Sequence, residues 1–393
     1  MDLFSTNNYT LRPYQRGAVD AAVSFLKGPA KHNAIEVLPT GSGKSLIIAN
    51  IVAELGAPVL IFQPSKEILE QNLSKLQSYG YQAAVYSASK GRTEISNITF
   101  ATIGSVVGKT SLFEKFRYIV VDECHKINAK EGMYKTFLSA LTEAGAKVLG
   151  LTATPYRLAT NSYGPELRFL TRTRPRVFRE MIYYVQNRQL FDQGYLARIE
   201  YVTHNGFDRA KLRVNSTGAD YTDESVQTCL WASNLPVRLV DVIKREMETR
   251  KNVLVFTRFL EEARYLASRI DGAFIVTGED NRLRRERIIN GFKCGDIPVV
   301  CNVGVLTTGF DYPELETIII ARPTMSLGLF YQMAGRGLRP HPQKEYTKII
   351  DMCGNYDSFG RVEDLEIVDG GNGKWFVASG EKQLTNVYYG ERS

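Results

Sequence analysis

The stretch Leu38-Pro39-Thr40-Gly41-Ser42-Gly43-Lys44-Ser45 constrains this chain more than any other. Apolar runs flank it at 34–38 and 46–52. That spacing predicts a buried strand, a tight glycine-rich turn and the first turn of a helix. In such a turn the backbone N–H groups and the helix N-terminus converge on one point, which suits a phosphate. Residues Pro39, Thr40, Gly41, Ser42 and Gly43 would form the cradle. Lys44 would neutralise the β and γ phosphates, and the Ser45 hydroxyl would ligate Mg²⁺. The full G-x-x-x-x-G-K-[ST] pattern is not met, because Leu38 stands at the first glycine position.

At 393 residues the chain has room for two or three domains, each with its own core. No run approaches the roughly 18 apolar residues of a membrane span. The N-terminal residues lack the pattern of a signal peptide, so a cytoplasmic protein of a bacterium or of a viral host is expected, with no membrane partner. The five cysteines are scattered and form no C-x-x-C, so neither a disulfide framework nor a zinc site is expected. Residues 1–195 hold 23 Lys+Arg against 15 Asp+Glu, whereas the remainder holds 26 against 27. A positive excess on one half suits an extended polyanion.

Residues 11–26 predict a helix with Pro13 in its first turn. Gln15, near its start, either pairs with an adenine edge or is simply solvated. Strands are expected at 58–62, 83–86, 98–102, 118–121 and 147–151. Their alternation with helical segments predicts a parallel α/β sheet with ligands at the carboxyl ends of its strands. The polar groups at those ends are 40–45, Gln63-Pro64-Ser65, Thr102-Ile103-Gly104-Ser105, Asp122-Glu123-Cys124-His125 and Thr152-Ala153-Thr154. Asp122 is placed to hold Mg²⁺ opposite Ser45, directly or through water. Glu123 is placed to orient and deprotonate the water that attacks the γ-phosphate. His125 would touch phosphate or couple to Thr152 and Thr154.

Residues 157–198 hold eight arginines and no lysine against three acids, interleaved with Tyr163, Phe169, Phe178, Tyr183 and Tyr184. Two readings stay open: a single-strand contact surface, or a solvated basic connector with some aromatics buried. A helix is expected over 177–191. From 197 a second alternating unit begins, with strands at 199–203, 253–257, 273–276, 298–302, 317–321 and 346–352. Helices are expected at 235–249, 260–270, 281–292 and 326–338. Lacking a P-loop, this unit reads as a partner that closes over the nucleotide held by the first. Residues 302–311 are small, polar and glycine-rich, which would let backbone approach a ligand. Arg336 and Arg339, three apart on a helix end, would enter the facing active site as arginine fingers, or alternatively form structural salt bridges. The expected division is 1–195, with a basic connector at 157–195, then 196–360 and a C-terminal extension at 361–393. In the extension only 375–377 suggests a strand.

Taken together, these residues resemble the superfamily 2 helicases, built of two RecA-like domains with an ATP cleft between them. The resemblance rests on Arg12-Pro13-Tyr14-Gln15, the 39–45 loop, Gln63-Pro64-Ser65, the DECH box at 122–125, Thr152-Ala153-Thr154 and Val255-Phe256-Thr257. It continues through Thr307-Thr308-Gly309-Phe310-Asp311 and Gln332-Met333-Ala334-Gly335-Arg336-Gly337-Leu338-Arg339. Thr-Ala-Thr-Pro-Tyr-Arg at 152–157, Gly194-Tyr195-Leu196 and Asp351-x-x-Gly354-Asn355 resemble the branch holding RadD and the type III restriction translocases. The cysteine-rich zinc region usual in RadD-like proteins is absent from the sequence, as is the nuclease pattern of type III enzymes.

The resemblance implies ATP and Mg²⁺ as cofactors, with Arg12, Gln15, Gly309 and Asp311 at the nucleotide and Gln332 among the catalytic groups. It also implies DNA, single-stranded or forked, held at Gln63, Pro64, Ser65, Thr102, Gly104, Ser105, Thr257, Arg258, Thr307 and Thr308. Movement would run 3′→5′ by analogy. An RNA helicase, or a translocase that remodels DNA without unwinding it, are the alternatives.

Overall fold

The computed structural model describes residues 10–88, 91–128, 132–161, 164–307 and 309–388. In the first unit the elements run α1 (Pro13–Lys27), β1 (Ala34–Val37), α2 (Lys44–Leu55), β2 (Val59–Phe62) and α3 (Lys66–Ser78). They continue with β3 (Ala84–Ser87), β4 (Arg92–Thr93), β5 (Ile98–Ala101), α4 (Ile103–Val106), β6 (Tyr118–Asp122), α5 (Met133–Glu143) and β7 (Lys147–Thr152). A hairpin, β8 (Tyr156–Asn161) with β9 (Gly164–Phe169), precedes β10 (Glu180–Tyr184) and α6 (Asn187–Asp192).

The second unit runs β11 (Arg198–Thr203), α7 (Asp223–Ala232), α8 (Leu235–Thr249), β12 (Val253–Thr257), α9 (Leu260–Ala267) and β13 (Ala273–Thr277). It ends with α10 (Arg282–Cys294), β14 (Val299–Val303), β15 (Thr317–Ile320), α11 (Leu327–Ala334), β16 (Tyr346–Asp351) and α12 (Asn355–Phe359). Three short strands close the chain: β17 (Leu365–Asp369), β18 (Trp375–Ser379) and β19 (Lys382–Gln383).

The first sheet has the order β10-β1-β7-β6-β2-β5-β3-β4 and the second β11-β16-β15-β12-β14-β13. Every pairing is parallel except β3 with β4. Helices cover both faces of such sheets, so their strands read as unbroken apolar runs. Val59–Phe62, Val253–Thr257 and Thr317–Ile320 are buried at every position. Among the described residues no helix is long and apolar enough to cross a membrane.

The expectation of a helix over 177–191 is corrected. Its first part is strand β10, which pairs in parallel with β1 at the sheet edge, and only Asn187–Asp192 is helical. Ile182-Tyr183-Tyr184 is β-branched and aromatic, and an open edge of β1 lets this segment complete a ladder. The basic connector is also more structured than expected. Tyr156, Phe169 and Phe178 are in the core, while Arg174, Arg176 and Arg179 remain exposed. Tyr163 lies outside the described residues. Burial of these rings favours the connector reading over base stacking at those positions.

In place of a single strand at 375–377 there is a three-stranded antiparallel sheet, β17-β18-β19. It follows the second unit in sequence yet docks on the first. The Gln186 amide donates to Ile367 O at 2.8 Å and accepts from Ile367 N at 2.9 Å. Asn386 accepts from Phe169 N at 3.0 Å and stands against the β8–β9 hairpin.

Candidate active site

The P-loop leaves β1 and is held at its root by Leu38 N donating to Thr152 O at 2.9 Å. Gly41 and Gly43 have φ of +84° and +83°, a region that side-chain-bearing residues rarely adopt. A Cβ at Gly43 would lie 2.6 Å from Gln15 Nε2, so the glycine is required twice over. Helix α2 begins at Lys44, and its first N–H groups have no intrahelical acceptor and point into the turn. The loop is braced from behind: Ser42 O accepts from Tyr14 OH at 2.8 Å and from Gln15 Nε2 at 2.9 Å. Gln15 Oε1 accepts from Arg12 N at 2.9 Å. Gln15 therefore spends both ends of its amide on backbone while still bordering a pocket beside the P-loop.

Strand β6 delivers Asp122, which is buried, and the chain turns sharply at Glu123, where φ is +49°. A glutamate in the left-handed region is uncommon and marks a functional constraint. Its carboxylate stands 4.0 Å from Lys44 Nζ and 3.3 Å from His125 Nδ1. Burial opposes its charge, but Lys44, His125, Lys126 and Arg336 outweigh that and hold its carboxyl below the usual value. Asp122 goes the other way: burial, then the neighbouring Glu123 charge, raises it. Burial pulls His125 down to about 4, so at neutral pH the ring is uncharged and its contact with Glu123 is not an ion pair. The same Nδ1 lies 2.9 Å from Thr152 Oγ1 and 3.0 Å from Thr154 Oγ1.

The second unit brings α11 and the turn after it over the P-loop. A Cβ at Gly335 would meet Thr40 Cγ2 at 2.9 Å, which is why the approach needs glycine. Tyr331 OH accepts from Thr40 N at 3.3 Å and donates to Asn187 Oδ1 at 2.8 Å. Arg336 Nη1 donates to Phe310 O at 2.7 Å, and its Nε donates to Gln332 O at 3.1 Å. Burial lowers Arg336 to about 10, so it stays charged at neutral pH. Arg339 pairs with Asp311 at 2.9 Å. A cavity of about 130 Å³ is lined by Lys44, Ser45, Asp122 and Glu123 from one side and by Gly309, Asp311, Gln332, Arg336 and Arg339 from the other.

Two residues at this cleft were not anticipated. Asn72 on α3 accepts from Ser45 Oγ at 2.6 Å and donates to Asp122 Oδ2 at 3.2 Å. Tyr195 carries the Arg12 guanidinium 4.2 Å from its ring centroid, and both line an adjoining pocket with Gln15, Gly41 and Arg339. Gly194-Tyr195-Leu196 had stood out as a motif, but nothing in its spacing revealed a partner 183 residues upstream.

Several residues expected at the nucleic acid are placed otherwise. Gln63 is buried and its Oε1 accepts from Asn72 at 2.9 Å. Ser65 caps α3, accepting from Ile68 N at 3.3 Å. Thr257 is fully buried and donates to Asn302 O. Arg258 is bound to Asp223 at 2.7 Å, with Asp220 at 3.6 Å, and is 10% exposed. Thr102 and Ser105 pair with each other at 2.9 Å beside Gly104. Pro64 and Thr307 are half-buried, and Thr308 lies outside the described residues. The buried Thr257 hydroxyl is thus already engaged, and Arg258 is held by acidic partners in its own unit.

The residues present fit the groups that the loop implies. Two left-handed glycines leave a cradle without side chains, and a hydroxyl and a carboxylate, Ser45 and Asp122, share one bridging amide. Mg²⁺ is bound by one or two protein oxygens together with substrate phosphates and water, which matches that donor set.

Residues 8–157 match the family model for the type III restriction enzyme res subunit, and residues 235–341 match the helicase conserved C-terminal domain. Over 373 residues the chain is 24% identical to the putative ATP-dependent helicase IRC3 of Saccharomyces cerevisiae, covering 88% of this chain and 51% of that protein. It is also 24% identical over 364 residues to the DNA 3'-5' translocase XPB2 of Sulfurisphaera tokodaii, covering 84% and 78%. A fragment of a putative HsdR subunit of a type I restriction enzyme from Vibrio vulnificus superposes with a TM-score of 0.66 at 23% identity. That superposition covers 91% of this chain and 67% of the other. The chain spans between half and two thirds of the length of its first curated relatives. Fold and cleft define the class, a pair of RecA-like domains facing each other across a nucleotide site. The two matched models, one in each unit, are consistent with a superfamily 2 helicase.

Proposed function

We propose that the protein hydrolyses ATP in the interdomain cleft and couples the opening and closing of that cleft to 3′→5′ movement along DNA. The observation that carries this is the shared lining: Lys44, Ser45, Asp122 and Glu123 face Arg336 and Arg339 across one cavity. Such a site is complete only when residues 1–195 and 196–360, the two domains of the proposal, are together. DNA is favoured over RNA because a relative over most of this chain is named a DNA 3'-5' translocase.

Lys44 now leans on Leu38 O at 3.4 Å and would exchange that carbonyl for the β and γ phosphates. Glu123, held ionised by the cations around it, takes the proton of the attacking water. Thr152 and Thr154 fix the His125 ring, which in turn fixes Glu123. Arg336 and Arg339 would trade Phe310 O and the Asp311 carboxylate for the transferring phosphoryl group, where charge develops. Gln332 orients the same group, and Arg12, Gln15, Gly309 and Asp311 border the nucleotide. Ser45 and Asp122 would hold Mg²⁺, which would supply a positive charge that polarises the phosphate. Strand contacts fall to the backbone around 63–65, 102–105 and 307, which gives weak sequence preference and strong salt dependence.

The test is ATP turnover with and without single-stranded DNA or RNA. Turnover should rise with DNA and collapse in Lys44→Ala and in Glu123→Gln; full DNA-stimulated activity in either variant would refute the site. Strand displacement on forked and plain duplexes then separates unwinding from translocation.

A further inference from the structure

Asn72 lies on α3 and is 8% exposed. All of its amide is engaged. Oδ1 accepts from Ser45 Oγ at 2.6 Å, and Nδ2 donates to Gln63 Oε1 at 2.9 Å and to Asp122 Oδ2 at 3.2 Å. The opposite rotamer would set the NH₂ against the serine hydroxyl and the carbonyl against two acceptors, so the chemistry of the neighbours fixes its orientation. Ser45 thereby spends its proton on Asn72 and keeps its lone pairs free for a cation. Gln63 is equally constrained: its Oε1 is held, and its Nε2 is buried without a hydrogen-bond partner. Its backbone N–H donates to Ala101 O at 3.0 Å, at the strand end that runs into Thr102 and Ser105. One planar amide thus joins both candidate Mg²⁺ ligands to the start of the Gln63-Pro64-Ser65 loop.

We propose that Asn72 is the positioning residue through which occupation of the nucleotide site is communicated to the strand-binding loops at 63–65 and 102–105. This rests on the ATP and DNA reading above. A hydroxyl that ligates a cation becomes a stronger donor, which tightens its bond to Asn72 Oδ1. Because the amide is rigid and its other end is fully engaged, Gln63 is drawn with it. An unsatisfied buried donor at Gln63 Nε2 leaves that side chain with a second arrangement to gain, as a two-state element requires.

The test is a linkage measurement that does not depend on turnover. A fluorescent single-stranded DNA is titrated with wild-type protein, Asn72→Ala and Asn72→Asp, each with and without Mg²⁺ and a non-hydrolysable ATP analogue. A separate titration measures analogue binding without DNA. Wild type should show a coupling factor on the order of 5–150-fold between the two ligands. In Asn72→Ala the factor should fall to about twofold or less, while DNA affinity without nucleotide stays within about threefold of wild type. Asn72→Asp keeps the acceptor for Ser45 but loses both donations, so it too should uncouple. Circular dichroism and thermal unfolding of each variant identify any that fails to fold, and only folded variants are compared. A coupling factor equal to wild type in a folded variant of either kind overturns the inference, even if both affinities weaken. Absence of analogue binding by wild type would instead refute the ATP reading.

Discussion

Gln15 spends both ends of its amide on backbone, at Ser42 O and Arg12 N, and this holds the P-loop against the first turn of α1. Gln15→Ala should cost roughly 1 kcal/mol, or about fivefold in nucleotide affinity, without changing the turnover of bound nucleotide. Titration of a fluorescent nucleotide checks it, and a turnover defect with normal affinity would argue for direct contact with the substrate. Residue identity was legible here and direction was not. Gln15, Gln63, Thr257 and Arg258 each carry groups that could reach a ligand, but Ser42 O, Asn72, Asn302 O and Asp223 engage and orient them. Those partners come from other elements, and no local pattern announces them. Asn72 was missed for the same reason, because a lone asparagine inside a helix offers no periodic signal.

Strands and helices with strong periodicity, such as β12 and α8, follow from the sequence alone, whereas β10 does not. Its aromatic and β-branched residues fit a helix stripe until the open edge of β1 is considered. The hairpin β8–β9 also escaped, because its strands carry no clean alternation and pair mainly with each other. Helix α9 permits a sharper test. Glu262 Oε2 caps its N-terminus by accepting from Phe259 N at 3.0 Å, while burial raises its carboxyl to about 7 from an ordinary 4.5. Between those values the folded protein holds a proton that the unfolded chain has released, so stability falls as pH rises through that window. Glu262→Gln keeps the acceptor and removes the charge. It should stabilise the protein at pH 8 by on the order of 2 kcal/mol and leave it unchanged at pH 4, as followed by thermal unfolding. Equal effects at both pH values would mean that the carboxyl titrates normally.

At the scale of the molecule the two sheets are joined on two sides. Tyr331 binds the P-loop backbone from the second unit, and the C-terminal sheet reaches back to the first through Gln186 and Ile367. Removing the bidentate amide in Gln186→Ala should loosen that sheet at a cost of about 1–3 kcal/mol, read as faster amide exchange at 365–369. Unchanged exchange there would show that apolar packing alone holds the sheet. The sequence told of two alternating units and of arginines far downstream of the P-loop; that these meet at one cavity required the packing of α11 on Thr40. The central claim is that each unit supplies half of one catalytic site. Its most direct test is DNA-stimulated ATP turnover and nucleotide affinity measured side by side for wild type and Arg336→Ala. Affinity should change by less than about tenfold, since the P-loop holds the phosphates, while turnover falls by about 10³–10⁵. Turnover within a few-fold of wild type would contradict a shared site.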